Sequence, residues 1–165
     1  MKWADLDLKR KLWIIPAEEM KIRANGQHIV PLSRQVLDLI NIQAGMKRSE
    51  YVFSSRTDKP FSDIAMSQVI KRMHSEEKAR GREGWIDREA SKAQGREVIA
   101  VQHAISRASF ETWAQGLRKD SRTIALCLHH DVDTKLNSAY DRDKSIEQKR
   151  ELLQEWADFC YSKVE

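Results

Sequence analysis

Between His129 and Arg142 the chain reads His-His-Asp-Val-Asp-Thr-Lys-Leu-Asn-Ser-Ala-Tyr-Asp-Arg. This supplies two imidazoles, a tyrosine ten positions after His130, and an arginine two positions further on. Such a set suits attack by a phenol oxygen on a phosphodiester. The reaction needs a nucleophile, and the phosphorane oxygens need hydrogen-bond donors and positive charge. Tyr140 alone is weak ground for that chemistry, because most single tyrosines are half-buried core residues with a satisfied hydroxyl. The elements around it must decide.

Those elements begin with strands between residues 3 and 32. Leu12-Trp13-Ile14-Ile15 ends at Pro16 as a short buried strand. Met20 to Leu32 reads as a hairpin turning at Asn25-Gly26, the pair favoured in type I′ turns. Period-two alternation puts Met20 and Ile22 on one face and Lys21 and Arg23 on the other, giving a basic face. An ordinary solvated lysine is the plainer reading of Lys21. Ser33 caps a helix carrying Val36, Leu37 and Ile40, closed by Gly45. Tyr51-Val52-Phe53 is a short apolar piece of strand character. Phe61-Ser62 staples and caps a helix carrying Ile64, Val69, Ile70 and Met73.

Residues 74–97 are dense in both charge signs and punctuated by Gly81, Gly84 and Gly95. They read as an exposed insertion or long loop with room for a helical turn, solvated rather than DNA-binding, because acids offset the bases. Phe110, Trp113, Ala114 and Leu117 restore a helical stripe, with Arg107 partly buried at its edge and His103 one turn earlier. If both are helical, imidazole and guanidinium share a first turn whose free amides also favour phosphate, although on spacing alone an exposed histidine and a surface arginine are the plainer reading. Asp120 or Ser121 caps a short helix that feeds into His129-His130. Ser145-Ile146-Glu147-Gln148 resembles a capping box opening a last amphipathic helix, with Ile146, Leu152, Leu153, Trp156, Phe159 and Cys160 on its apolar face.

Composition sets the outer limits. The chain has 165 residues, 41% apolar and 33% charged, and a net charge of +4. That suits one soluble domain with a real core and a bias towards polyanions such as nucleic acid. Cys127 and Cys160 show no zinc spacing and read as reduced core residues. No apolar run approaches a membrane span and no signal peptide is apparent, so the expected location is cytoplasmic. No P-loop, GxGxxG or metal motif occurs, so no cofactor and no metal are expected.

Taken together, the segments resemble the catalytic domain of tyrosine recombinases, particularly integrases of phages and prophages. Leu6-Asp7-Leu8, Trp13 to Lys21 and then His28-Ile29-Val30-Pro31-Leu32-Ser33 are similar to the family's sheet, in which a lysine precedes a "VPLS" strand. Tyr51-Val52-Phe53-Ser54 is similar to its "YVFPS" piece. His103 to Ala114 is similar to its histidine–arginine box. Leu128-His129-His130 through Tyr140-Asp141-Arg142 is similar to "LAH…AAYNR", with His130 and Tyr140 at the family's separation.

The resemblance implies a mainly α fold with a small antiparallel β-sheet over residues 1–165, acting as a tyrosine-type site-specific DNA recombinase. Tyr140 would form a 3′-phosphotyrosyl link and release a 5′-hydroxyl. Lys21 would protonate that leaving oxygen, Arg107 would bind the non-bridging oxygens, and His103 and His130 would donate to the phosphate or assist Tyr140. Lys21, Arg23, Arg107, Lys135 and Arg142 would contact double-stranded DNA attachment sites, with the full-length protein a tetramer on DNA.

Two departures qualify it. The family's box is His-x-x-Arg, whereas His103 and Arg107 have three residues between them. A further family arginine, expected just before the first segment, does not occur here. The chain therefore reads as a carboxy-terminal fragment, nearly inactive alone. The competing reading is a DNA-binding or assembly module with vestigial catalytic residues. The last helix, from Ser145, could pack on a neighbouring subunit or on its own core.

Overall fold

The structure, a computed structural model, describes residues 1–21, 23, 26–62, 64–100, 104–130 and 139–162; for residues 104, 105 and 139–142 the backbone alone is described. Two compact units emerge, Met1–Pro60 with Ala114–Glu165, and Phe61–Trp113. Among the described residues the fold is mainly helical with one three-stranded antiparallel sheet, as expected from the sequence.

The sheet belongs to the first unit. Strands β1 (Leu6–Asp7), β2 (Leu12–Ile15) and β3 (His28–Pro31) lie in chain order. Register runs Leu6 to Trp13, and Leu12 to Pro31 through Ile15 to His28. The hairpin partner of β3 is therefore β2, not the stretch from Met20. Ala17–Glu19 form a 3₁₀ turn, and the Gly26 N–H donates to the Arg23 carbonyl at 3.0 Å with Gly26 at φ +72°. A turn does sit at Gly26, but the sheet is closed by the longer connection from Pro16 to Gln27. Leu12 is fully enclosed.

Helix α1 (Arg34–Ala44) starts where expected, because the Ser33 hydroxyl accepts from the Val36 N–H. It ends at Gly45, which stays in the right-handed region. Its inner face delivers Ile40 into a core with Leu32 and Val52, flanked by Trp3, Leu6, Trp13, Val36 and Leu37. Tyr51 pairs with Lys2 in one antiparallel bridge, and the Val52 N–H donates to the Met1 carbonyl.

Helix α5 (Ser121–Cys127) and helix α6 (Ala139–Tyr161) complete this unit. The box at Ser145 does not open α6. The helix already runs from Ala139, and Ser145 is buried inside it. Ser145, Lys149 and Leu152 follow one another at four and three residues, so they share a stripe, and all three are buried. That stripe packs in cis, on α5 and β3. Arg150 donates to the Arg10 carbonyl at 3.1 Å, and Gln154 accepts the Arg34 N–H at the start of α1 at 3.0 Å. Cys160 on the same helix is exposed and Cys127 half-buried, so only Cys127 approaches the core role expected for both.

The second unit holds helix α2 (Ala65–Ala79), helix α3 (Arg88–Gln94) and most of helix α4 (Ser109–Gly116). No side chain caps α2, and Phe61 is exposed, so the staple and cap expected at Phe61-Ser62 do not form. The segment 74–97 is mostly exposed, as expected, but more helical than the one turn allowed for it. It contains the last turns of α2 and all of α3, capped by Asp87 on the Ala90 N–H at 2.9 Å. His74, inside it, is buried. In α4, Phe110 and Ala114 are buried, but Leu117 beyond it is exposed.

Candidate functional site

The end of α5 holds the first candidate in place. Asp120 opens the helix, its carboxylate accepting the Thr123 N–H at 2.8 Å and the Thr123 hydroxyl at 2.6 Å. These donors hold its pKa below the ordinary value. Ile124 and Leu128 anchor the inner face. At the other end the His129 N–H reaches back to the Leu126 carbonyl at 3.3 Å, and the His130 N–H to the Ala125 carbonyl at 2.9 Å. This paired closure needs its first residue left-handed, a position usually taken by glycine. Here it is His129, at φ +53°. A side chain in that region costs on the order of 1–3 kcal/mol unless its surroundings hold it.

The surroundings do hold it. The His129 ring lies 4.5 Å from that of His28, tilted by 48°. His28 is the buried first residue of β3. The next residue, Ile29, offers its carbonyl to the Lys149 ammonium from α6. Lys149 is buried, and that burial lowers its pKa. Burial also raises the neighbouring Cys127 thiol to about 11, against the opposing pull of Lys149. Three elements thus meet at the start of β3: the sheet, the end of α5 and the buried stripe of α6. Each leads directly to a candidate. The connection before β3 carries Lys21, the α5 closure ends at His130, and α6 opens with Tyr140 in its first turn.

Lys21 and Arg23 are exposed, as period-two alternation anticipated, although in an irregular connection rather than a strand. His130 is exposed while His129 is half-buried. Arg142 shares the first turns of α6 with Tyr140, and the side chains of both lie outside the described ones. Lys135 and His103 lie outside the described residues.

Arg107 belongs to the second unit. It sits in a wide π-type turn over Ala104–Ala108 that runs into α4. It is exposed, the plainer of the two placements that its spacing left open. The widened turn inserts an extra residue before the stripe of Phe110 and Ala114, and such turns rotate what precedes them relative to the helix face. Phe110 and Trp113 lie 6.2 Å apart at the inner side of α4.

Among the described residues, no group of three or more His, Cys, Asp or Glu could hold a metal ion. The donors among the candidate residues are cationic and imidazole groups, the types that stabilise phosphoryl oxygens by charge and hydrogen bonding. Two residues close to the candidates escaped the sequence reading, His28 and Lys149. The ring contact of His28 is with His129, just past the end of α5 and far away in sequence, so no local pattern marks it. Lys149 had a faint signal, a lysine on the stripe shared by Ser145 and Leu152.

Comparison with known proteins supplies a family. No solved structure matches. Over 99% of its length the chain is 27% identical to the integrase of Shigella phage Sf6, covering 37% of that protein. It is 27% identical to the prophage integrase IntS of Escherichia coli strain K12, over the whole of this chain and 38% of the relative. With the prophage integrase IntA of the same strain it shares 27% over 95% of its length and 33% of the relative. The chain thus spans between 33% and 38% of the length of these relatives. The profile of the phage integrase family matches residues 1–88, more than half of the chain. The chain belongs to the phage integrase family.

Proposed function

We propose that residues 1–165 act as the catalytic domain of a site-specific DNA recombinase that cuts and rejoins strands through a tyrosine. The observation that carries this reading is the family match over residues 1–88, continued by relatives named integrases that align over nearly the whole chain.

In this reading the Tyr140 phenol oxygen attacks the scissile phosphorus. A phosphotyrosyl bond to the 3′ end forms, and the bond to the 5′ oxygen breaks. Lys21, exposed in the connection before β3, donates the proton that leaves with that oxygen as a 5′-hydroxyl. Arg107 neutralises the non-bridging oxygens, a task fitted to the planar guanidinium fork. His130 donates to the same phosphate, and His103 assists there or at the Tyr140 proton. Rejoining reverses the sequence: a 5′-hydroxyl attacks the phosphotyrosyl phosphorus and Tyr140 leaves. The phosphodiester energy is kept in the covalent link, so the cycle requires no external energy source.

The partner is double-stranded DNA at attachment sites, touched along the backbone by Lys21, Arg23, Arg107, Lys135 and Arg142. The full-length protein works as a tetramer on paired sites, in the cytoplasm. Among the described residues, no helix is long and apolar enough to cross a membrane.

The test is covalent trapping. On a nicked DNA substrate the full-length protein should yield a protein–DNA adduct that survives denaturation, and Tyr140→Phe should abolish it with DNA affinity nearly unchanged. Tight, salt-dependent binding without any adduct would instead mark a DNA-binding module with vestigial catalytic residues.

A further inference from the structure

We propose that His28 and His129 are positioning residues for the proposed strand-transfer site: their ring contact locks the left-handed closure of α5 and so fixes where His130 is presented. The inference rests on the recombinase reading above and adds to it two residues that the family mechanism, as set out above, does not use.

Three observations converge. His129 occupies a backbone conformation at φ +53° that side chains avoid. The closure that demands this conformation is the same pair of hydrogen bonds that fixes the His130 backbone, through its own N–H on the Ala125 carbonyl at 2.9 Å. The ring that would make the conformation most awkward is the one packed 4.5 Å from His28. A residue chosen only to close the helix would be glycine. A histidine there serves the ring contact.

The contact has a rigid base. His28 is buried at the start of β3, and the following carbonyl is held by the buried Lys149 of α6. The His28–His129 contact therefore ties the α5 end to the strand that follows the Lys21 connection. Lys149 ties the same strand to the helix that carries Tyr140 in its first turn. A histidine that must reach a phosphate oxygen depends on such a frame, because a misplacement of about 1 Å costs roughly a hundredfold in rate.

The experiment uses the full-length protein on a nicked substrate at saturating DNA, with Tyr140→Phe as the blank. His28→Ala should slow adduct formation at least about tenfold, with the dissociation constant for DNA within about twofold of the parent. His28→Phe, which keeps a ring on His129, should recover most of the rate. His129→Asn, which tolerates the left-handed backbone but removes the ring, should be slow like His28→Ala, and the double variant no slower than either. Because asparagine suits that backbone, His129→Asn should melt no lower than the parent, so it carries the test if His28→Ala fails to fold. Parent-like rates in His129→Asn, or a His28→Phe as slow as His28→Ala, would overturn the proposal. Absence of any adduct in the parent protein would overturn the recombinase reading instead.

Discussion

The two units are held together by different physics. In the unit of Met1–Pro60 and Ala114–Glu165, distant segments share an apolar core. Leu12 and Ile40 are fully enclosed, and Leu32, Val52, Ile124, Leu128 and Leu152 are buried. Among the described residues of the unit Phe61–Trp113 the buried apolar side chains are few, Ile70 and Phe110 among them, while Ile64, Met66 and Met73 are exposed on or beside α2. Polar contacts dominate there. His74 accepts the Trp85 N–H on Nδ1 at 3.1 Å and meets Glu97 through Nε2 at 3.2 Å. Glu97 also holds Lys78 at 2.6 Å, Glu77 holds Arg80 and Arg82, and Glu83 holds Arg88. A core that removes apolar area from water gains stability in proportion to that area, whereas exposed ion pairs gain little each. The candidates Lys21, His130 and Tyr140 lie on the first kind of scaffold and Arg107 on the second.

The largest effect should come from opening the apolar core. Ile40→Ala removes a fully enclosed side chain and leaves a cavity, at a cost of about 2–5 kcal/mol. Amide hydrogen exchange should rise across β2, β3 and α1. A comparable rise from an exposed apolar change in the other unit, such as Met66→Ala, would erase the contrast.

These differences also explain what was legible in the sequence. Helix α1 was readable because its signals are local: Ser33 caps, and Val36, Leu37 and Ile40 keep helical spacing. Strand β2 was readable from its apolar run ending at Pro16. The β2–β3 pairing was not, because the Asn25-Gly26 turn signal pointed to a nearer partner than the one that the core selects. The start of α6 was missed for a similar reason. Ser145 looks like a cap, but burial against α5 and β3 makes it an interior residue. The segment 74–97 looked like a solvated loop because its charges hide a buried histidine whose partners lie on the following turns. At the site, residue types and separations carried Lys21, Arg107, His130 and Tyr140 only through family resemblance. The His28–His129 contact is tertiary and left no trace in spacing.

A middle-sized effect should follow from Gly84→Ala. Gly84 sits at φ +80°, and a Cβ there would lie 2.7 Å from His74 Nδ1, the atom that accepts the Trp85 N–H. Either the turn or the imidazole must give way, at a cost of about 1–3 kcal/mol. Exchange should quicken at Trp85 and the end of α2 and stay unchanged across the sheet. Unaltered protection at Trp85 would show that the histidine is not what holds this turn.

The smallest effect concerns Glu97, and it separates the units by charge alone. The Lys78 ammonium, with His74 behind it, holds the Glu97 carboxyl below its ordinary value of 4.5. A depressed carboxylate pKa contributes stability that is present above the unfolded value and lost as pH falls through the folded one. Glu97→Gln removes that contribution at every pH. Both partners are about half exposed, so screening keeps the effect small and added salt should shrink it further. The difference in exchange between parent and Glu97→Gln at the end of α2 should thus be visible at neutral pH and low salt, and should vanish as pH falls well below 4.5. Across β2 and β3 the two proteins should exchange alike throughout. A difference that persisted in acid would assign the role of Glu97 to its shape rather than its charge. The polar character assigned to the Phe61–Trp113 unit would then rest on packing after all.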